Sequence, residues 1–231
     1  QAIRSEATRL FEAGEIDLFI GHETGTVPPK ARPFFVTAEE VAEDSAVLDR
    51  LVWSSFCSNN IATYLQRYYE NVPNRRRPRE QPYPRIGVAV KGCDCRSVFT
   101  LIKEKQVRRD CVKLIGVPCS GMIDERALRE RVDGEIESVV ESEEGSVTVR
   151  SVSGESYELD REDVIARACI ECRFPVPENT DVLVEATARE PGDGGMARIE
   201  EFERKSSDEK WAYFEAELSK CIRCNACRQA C

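Results

Sequence analysis

Four cysteines at positions 221 to 231 have the spacing of iron–sulfur ligands. Cys221, Cys224 and Cys227 form a C-x2-C-x2-C run, and Cys231 comes four positions later. In bacterial ferredoxins such a run gives three ligands to one 4Fe–4S cluster, and its fourth cysteine ligates a second cluster. A zinc knuckle is the alternative, although zinc sites more often use two C-x2-C pairs or histidines. We expect a ferredoxin-type module that is incomplete here, in the front part of a longer, cysteine-rich protein.

Two further cysteines follow segments rich in β-branched residues, which are predicted to be buried strands. Cys93 comes after Ile86–Val90, and Cys119 comes after Val112–Val117. Strand, helix and strand within about thirty residues predict a βαβ unit, whose strands are parallel. The carboxyl ends of parallel strands meet at the edge of the sheet where cofactors bind. Cys93 and Cys119 are therefore expected to be neighbours in space.

A C-x2-C pair completes this second group. Cys169 and Cys172 lie in a later loop, so two loop cysteines plus this pair supply four thiols. Four thiolates are the usual ligand set of a 4Fe–4S cluster. The alternatives are a zinc site, or small buried residues at Cys93 and Cys119 beside a redox dithiol at Cys169 and Cys172.

The remaining cysteines and the histidine have weaker indications. Cys95 is too close to Cys93 to be an easy second ligand and is predicted to be a bystander. Cys57 opens a predicted helix, whose N-terminus would depress a thiol pKa; a buried small residue, a spare ligand and a flavin neighbour are its possible roles. Cys111 is expected to be structural, and His22 to be a loop residue rather than a base.

Glycines and two basic residues at the strand ends are a weak indication of a nucleotide site. No G-x-G-x-x-G run is present in the sequence. Glycine lets a backbone approach a phosphate closely, and a basic side chain adds charge. The residues assigned in this way to a flavin are Lys91, Gly92, Arg96, Gly116 and Gly121.

Composition narrows the class of protein. Eleven cysteines without a secretory signal favour metal binding in a reducing cytoplasm over a disulfide scaffold. A single histidine argues against most zinc enzymes and most Ser/His or Cys/His catalysis. The net charge of −9 argues against a nucleic-acid partner, and no apolar run is long enough to span a membrane.

Hydrophobic periodicity predicts an α/β fold with a small parallel core, an antiparallel β meander, and a helical connection to the truncated ferredoxin-like module. The meander starts at Ile136, with turns at Gly145 and Gly154. The connecting helix is expected to point Trp211, Phe214 and Leu218 inward. Five further helices are predicted: over 2–11, from the Thr37 capping box, after Asn60, over 97–105 and over 124–132. A strand is predicted over 17–20, and a solvated linker over 74–80. The expected domains are 1–190, a linker and helix over 191–220, and the cluster module over 221–231.

Three segments resemble one family of redox subunits. They are Lys91-Gly-Cys-Asp-Cys-Arg96, Ile115-Gly-Val-Pro-Cys-Ser-Gly-Met122, and Cys169-x-x-Cys172 followed by Pro175 and Asp181. From about position 17 onward, the chain resembles the beta subunits of deazaflavin-coenzyme-reducing hydrogenases and formate dehydrogenases. The familiar members place the ferredoxin module first. The order here resembles a sub-group found with heterodisulfide-reductase-like complexes.

The resemblance implies a cofactor set and a ligand set. Family members are iron–sulfur flavoproteins, in which an α/β domain holds one 4Fe–4S cluster beside FAD, and FAD exchanges a hydride with the deazaflavin. The resemblance implies that Cys93, Cys119, Cys169 and Cys172 are the ligands of that cluster.

The sequence thus predicts an iron–sulfur electron-transfer subunit of an anaerobic oxidoreductase complex, with other redox subunits as partners, 4Fe–4S clusters, and FAD as a further cofactor. No residue is assigned a catalytic acid or base role, because the cofactors carry the chemistry. One alternative is a flavin-free conduit docked to a hydrogenase, a formate dehydrogenase or a heterodisulfide-reductase-like complex. A more remote alternative is a zinc-stabilised interaction module.

Overall fold

The computed structural model describes residues 1–70, 83–142 and 145–230, and the predicted linker over 74–80 lies outside these ranges. The chain divides into two compact units, Gln1–Gly192 and Asp193–Cys231. The strands are β1 Leu18–Thr24, β2 Ala31–Thr37, β3 Ile86–Val90, β4 Val112–Gly116, β5 Ile136–Glu141, β6 Ser146–Ser151, β7 Ser156–Asp160 and β8 Val182–Leu183. The helices of the first unit are α1 Ala2–Glu12, α2 Ala38–Glu43, α3 Ala62–Glu70, α4 Gly92–Lys103, α5 Glu125–Arg129, α6 Arg161–Val164 and α7 Arg167–Ile170, with 3-10 turns at Ser45–Arg50 and Arg109–Cys111.

The main sheet is mixed, with strand order β2-β1-β3-β4-β8. Strands β1, β3, β4 and β8 are parallel, in a register that aligns Ile20 with Val88 and Val88 with Leu114. Strand β2 pairs antiparallel with β1 at the edge, where Pro33, which has no N–H to give to a second neighbour, is tolerated. The predicted parallel βαβ unit is therefore confirmed, and its β3 and β4 end at the same edge.

Apolar residues cover both faces of the main sheet, because successive strand residues point to opposite sides. On one face Ile20 and Val88 pack in a core with Leu65 of α3 and Val98 of α4. On the other face the core joins the following residues of the sheet and of α1: Phe19, Ala89, Ile115, Ala7 and Leu10. The strands are consequently buried between two layers, which makes their carboxyl edge a rigid platform.

The predicted meander is present as a separate sheet of three antiparallel strands in the order β5-β6-β7. Gly145 and Gly154 adopt positive φ angles of 92° and 90° in the turns, as a tight reversal requires. Val147 and Val149 of β6 are fully buried and pack with Leu128 of α5 and Val164 of α6. This sheet positions the start of α6 next to the main sheet's carboxyl edge.

Some helices differ in their bounds from those predicted. The Thr37 capping box is present, but α2 ends at Glu43 and a 3-10 turn follows. Helix α4 starts at Gly92 rather than Ser97, so Cys93 and Cys95 lie in its first turn instead of in a loop. The helix begins earlier because Asp94 accepts from the Lys91 backbone N–H, which caps the first turn.

The second unit contains helices α8 Met196–Glu203, α9 Ser207–Ser219 and α10 Ala226–Ala230. A capping box between Ser206 and Glu209 starts α9. The expectation that Trp211, Phe214 and Leu218 point inward is wrong, because all three are exposed. Helix α9 packs instead through Tyr213 and one edge of Phe214 against Phe202 of α8. None of the helices in the described ranges combines the length and apolar composition needed to cross a membrane.

Candidate cysteine centre

Cys93 lies in the first turn of α4, directly after β3. Gly92 precedes it and passes so close to the Phe174 carbonyl that any side chain at position 92 would collide with that oxygen. This contact brings the 172–175 loop against the helix N-terminus. The protein around the sulfur desolvates the thiolate and, together with Asp94, raises the pKa of Cys93 to about 12, although the residue keeps solvent contact.

Cys119 lies on the loop that leaves β4. Its N–H donates to the Pro175 carbonyl at 2.9 Å, and its carbonyl accepts from the Arg189 N–H at 3.0 Å. Its sulfur accepts from the Gly121 N–H at 3.4 Å. Burial raises the pKa of this thiol, and the Gly121 N–H partly offsets the effect by stabilising the thiolate. The loop is thus held by backbone bonds on both sides, with its thiol half-buried.

Gly121 gives this loop its shape. Its φ of +101° belongs to the left-handed region, and a Cβ at this position would lie 2.5 Å from Ile165 Cδ1. Because of this turn, the next N–H, of Met122, points at the Cys169 sulfur from 3.3 Å. Consecutive N–H groups that face the same way form a concave anion-binding "nest", which is common at iron–sulfur sites.

Cys169 lies in α7 and Cys172 lies just beyond it. The Cys172 N–H donates to the Cys169 carbonyl at 3.3 Å, and the Gly192 N–H donates to the Cys172 carbonyl at 2.6 Å. The Ala166 N–H donates to the Met122 carbonyl at 2.7 Å, which ties α7 to the Cys119 loop. The C-x2-C pair is therefore anchored to the segment that carries Cys119.

The segments that carry the four predicted ligands contact one another at the carboxyl edge of the sheet, and all four cysteines are free thiols. Burial and the Asp94 charge are the main causes of the raised pKa of Cys93, and a charge on Cys119 adds a smaller effect in the same direction. Burial is likewise the main cause of the raised pKa of Cys119, and charges on Cys169 and Cys172 add smaller effects in the same direction. Cys119 therefore lies within electrostatic reach of Cys93 on one side and of the Cys169–Cys172 pair on the other, so three segments that are distant in sequence approach each other at the Cys119 loop.

The donor set consists of four thiols, which by their chemistry suit a 4Fe–4S cluster or a zinc ion. Within the described ranges, no three His, Cys, Asp or Glu side chains form a metal-ion site. The N–H groups of Gly121 and Met122, aimed at two of the sulfurs, suit the negative charge of a thiolate-bound cluster.

A buried ion pair lies beneath this centre. Lys91, at the end of β3, extends its ammonium to the Cys57 carbonyl at 2.8 Å and to Asp94 of α4. The Arg96 guanidinium lies 4.0 Å from the centroid of the Phe174 ring on the surface nearby. Of the residues assigned to a flavin phosphate, Lys91 is thus already saturated by protein partners.

The remaining cysteines of the first unit and the single histidine lie in buried or structural positions. The Cys95 thiol is buried and donates to the Glu178 carbonyl at 3.1 Å, away from the centre. Cys57 is buried in a turn, and burial raises its pKa, so the expected helix-terminus activation is wrong. His22 is in β1 rather than in a loop, because the strand runs four residues further than predicted. Cys111 ends a 3-10 turn before β4.

A cleft of about 290 Å³ opens beside the Cys119 loop. Its wall includes the Trp53 indole, the Met122 thioether and the Glu141 carboxylate, and its other lining residues are Ser54, Ser55, Pro118, Ser120, Ala186 and Thr187. None of the five glycine and basic residues assigned to a flavin is among these lining residues. Sequence reasoning missed the cleft because its residues come from four distant segments without a shared motif.

In the second unit, Cys221, Cys224 and Cys227 are exposed thiols. Arg223 and Asn225, between them, adopt positive φ angles of 56° and 60°. The backbone therefore adopts the left-handed conformation at two positions within seven residues. Cys231 lies outside the described residues.

Comparison with known proteins gives one informative result. No protein-family model matches the chain, and no curated protein matches it. Among solved structures, a chain of the F420-reducing nickel–iron hydrogenase complex from Methanosarcina barkeri, in a xenon derivative, matches with a TM-score of 0.51 and 15% sequence identity. The match covers 74% of this chain but only 58% of that chain. At this identity the likeness is one of fold.

Proposed function

We propose that this chain is an iron–sulfur electron-transfer subunit of an anaerobic oxidoreductase complex. The observation that supports it is that the segments carrying Cys93, Cys119, Cys169 and Cys172 lie at the carboxyl edge of the sheet, with the Gly121 and Met122 N–H groups donating to the Cys119 and Cys169 sulfurs. The fold shared with a chain of an F420-reducing nickel–iron hydrogenase complex supports the same role, because a hydrogenase complex carries out redox chemistry.

In this proposal the four thiols are the ligands of one 4Fe–4S cluster, which supplies one-electron storage when bound. The chain's own groups set the conditions for it. The Gly121 and Met122 N–H groups stabilise negative charge on the Cys119 and Cys169 sulfurs. The partial burial of Cys119, Cys169 and Cys172 limits water access and leaves a short path for electrons to the surface.

The terminal cysteines are the ligands of the proposed ferredoxin-type module. Cys221, Cys224 and Cys227 supply three ligands of one cluster, and Cys231 supplies one ligand of another. The three described thiols are exposed, as suits a site that exchanges electrons with partner subunits.

The cleft beside Cys119 favours a flavin-bearing subunit over a flavin-free conduit docked to a hydrogenase, a formate dehydrogenase or a heterodisulfide-reductase-like complex. Its volume of about 290 Å³ lies at the lower end of small-molecule sites. Trp53 offers a ring for stacking, and the Ser54 and Ser120 hydroxyls line the same cleft. We infer that the flavin ring system occupies this cleft, with FAD phosphates near Gly92, Arg96, Gly116 and Gly121. Lys91 is not included, because its charge is neutralised by Asp94.

An anaerobic preparation of the whole chain tests the proposal. We expect iron and acid-labile sulfide in equal amounts, together with broad absorption near ~400 nm. Flavin in the same preparation supports the flavin-bearing subunit, and its absence supports the conduit. Zinc without sulfide would point to the interaction module and overturn the electron-transfer role.

Matched cysteine variants locate the cluster. Cys119→Ala is expected to remove about four irons per chain, because a 4Fe–4S cluster loses a ligand. Cys111→Ala is the control, since that residue comes before β4 at the opposite edge of the sheet. Equal iron content in the two variants would contradict the assignment of the first-unit site.

A further inference from the structure

Arg161 makes an unusually dense set of hydrogen bonds at the candidate centre. It is the first residue of α6, and its side chain is 13% exposed. The guanidinium donates five hydrogen bonds, to Glu141 Oε2, the Ser55 and Ser120 hydroxyls, and the Ser120 and Gly121 carbonyls, at 2.9 to 3.2 Å. A planar guanidinium that donates from all three of its nitrogens is held in one position.

The two carbonyls are the informative contacts. The Ser120 carbonyl belongs to the same peptide group as the Gly121 N–H, which donates to the Cys119 sulfur. The Gly121 carbonyl belongs to the same peptide group as the Met122 N–H, which donates to the Cys169 sulfur. The Arg161 guanidinium therefore donates to the carbonyl oxygens of both peptide groups whose N–H donates to a cysteine sulfur.

This arrangement has a direct electrostatic consequence. A cation at a carbonyl oxygen withdraws electron density from the peptide group and makes its N–H a stronger donor. Both peptide groups are trans, so each N–H points away from its carbonyl and toward the sulfur. Gly121 and Met122 are buried, where a low dielectric preserves the effect. The charge of Arg161 is therefore relayed to two sulfurs that it does not touch.

We propose that Arg161 is a positioning residue that raises the reduction potential of the group held by Cys119 and Cys169, by polarising the 120–121 and 121–122 peptides. The inference rests on the proposed iron–sulfur function. Stronger N–H donors stabilise the extra electron of a reduced cluster, because that electron adds negative charge to the sulfurs.

Glu141 provides an opposing variant. Its carboxylate accepts from Arg161 Nε at 3.0 Å and from the Ser55 hydroxyl at 2.8 Å, and so offsets part of the guanidinium charge. Removing that negative charge while keeping the shape, as in Glu141→Gln, is expected to move the potential in the direction opposite to the loss of Arg161.

The test is a redox titration of the anaerobic whole chain, followed by electron paramagnetic resonance. The signal of the first-unit cluster is identified as the one lost in Cys119→Ala. Arg161→Gln is expected to make the reduced form about tenfold less favoured, which is about 59 mV toward negative potential for a one-electron couple. Arg161→Lys, which keeps the charge but not the paired geometry, is expected to fall between it and the native chain.

Arg150→Gln is the matched control. Arg150 also pairs with a glutamate of β5, Glu137, but both side chains are more than half exposed. In the Arg150→Gln variant, the reduction potential of the first-unit cluster is expected to equal that of the native chain. If Arg161→Gln does not fold, Arg161→Lys and Glu141→Gln still test the inference through their opposite shifts.

The outcomes separate the two proposals. Iron and sulfide present, with the same potential in native, Arg161→Lys and Glu141→Gln proteins, would overturn the role of Arg161 and leave the proposed function standing. Lower cluster content at an unchanged potential would also overturn it, since that is a structural effect alone. A native chain without iron and sulfide would overturn the proposed function, and this inference with it.

Discussion

The Lys91 ammonium and the Asp94 carboxylate lie 2.8 Å apart at the N-terminus of α4, with side chains that are 2% and 0% exposed. Burial raises the pKa of Asp94, and the Lys91 charge offsets part of that effect. A pair so deeply buried is stable only while both partners are present, since either charge alone would lack a counter-ion.

Lys91→Met is therefore expected to destabilise the first unit by about 3–5 kcal/mol. The double variant Lys91→Met with Asp94→Asn is expected to recover much of that loss, because no unpaired charge remains. Urea unfolding measures both. Arg129→Met, which breaks an exposed pair with Glu125, is the control and is expected to cost less than about 1 kcal/mol. A similar cost for Lys91→Met and Arg129→Met would contradict the buried pair.

Gly121→Ala is expected to destabilise the fold and lower the iron content. The new methyl group would meet Ile165 Cδ1 at 2.5 Å in a left-handed backbone, and the adjustment would turn two N–H groups away from the sulfurs. Gly134→Ala is the control, because Gly134 has a φ of +86° but no atom within 4 Å of the added carbon. It is expected to cost about 1–3 kcal/mol in backbone strain without loss of iron. Thermal unfolding and iron analysis check both variants, and equal iron content would argue against the nest.

His22 is expected to make the protein less stable in mild acid. Burial and the nearby Lys91 charge lower the pKa of His22 to about 3. The unfolded chain binds this proton near pH 6.5 and the folded chain does not, so stability falls as the pH drops below about 6.5. At pH 5 the loss due to His22 is about 2 kcal/mol.

Comparison of the native chain with His22→Gln isolates this effect from that of the carboxylates. Unfolding free energies are measured in urea at pH 8 and pH 5. The native chain is expected to lose about 2 kcal/mol more than the variant over this interval. Parallel pH profiles would show that His22 is protonated in the folded protein.

Trp211 is expected to be readily quenched by acrylamide, because 67% of the residue is exposed. Trp53 is half-buried beside His22, with ring centroids 6.0 Å apart, and is expected to be shielded. The Trp53→Phe and Trp211→Phe variants report each indole alone. Equal, weak quenching of both would mean that the exposed face of α9 is covered in solution.

Local signals predicted much of the first unit. The two β-branched runs placed Cys93 and Cys119 at one edge, and the glycines at 145 and 154 marked the meander turns. Strand β2 escaped prediction because Pro33 argues against a strand when the segment is considered in isolation, although β2 directly follows β1 as its antiparallel partner.

The polar part of the site could not be read from the sequence in the same way. Arg161 looks like any surface arginine, and only the packing of the meander brings it to the Ser120 and Gly121 carbonyls. The prediction that Trp211, Phe214 and Leu218 point inward was wrong for a related reason. Helical spacing indicates a shared face but does not say whether that face is covered.

The wide sequence separation of the four first-unit cysteines also has a consequence for biosynthesis. Cys93, Cys119 and the Cys169–Cys172 pair meet only after β3, β4 and the meander have assembled. If the proposed cluster binds there, a growing chain on the ribosome cannot receive it before residue 172 has emerged and the sheet has assembled. The three cysteines of the 221–227 run lie in one short loop and do not depend on that assembly. Maturation is thus expected to proceed in two stages, with the order of cofactor insertion decided by topology rather than by position along the chain.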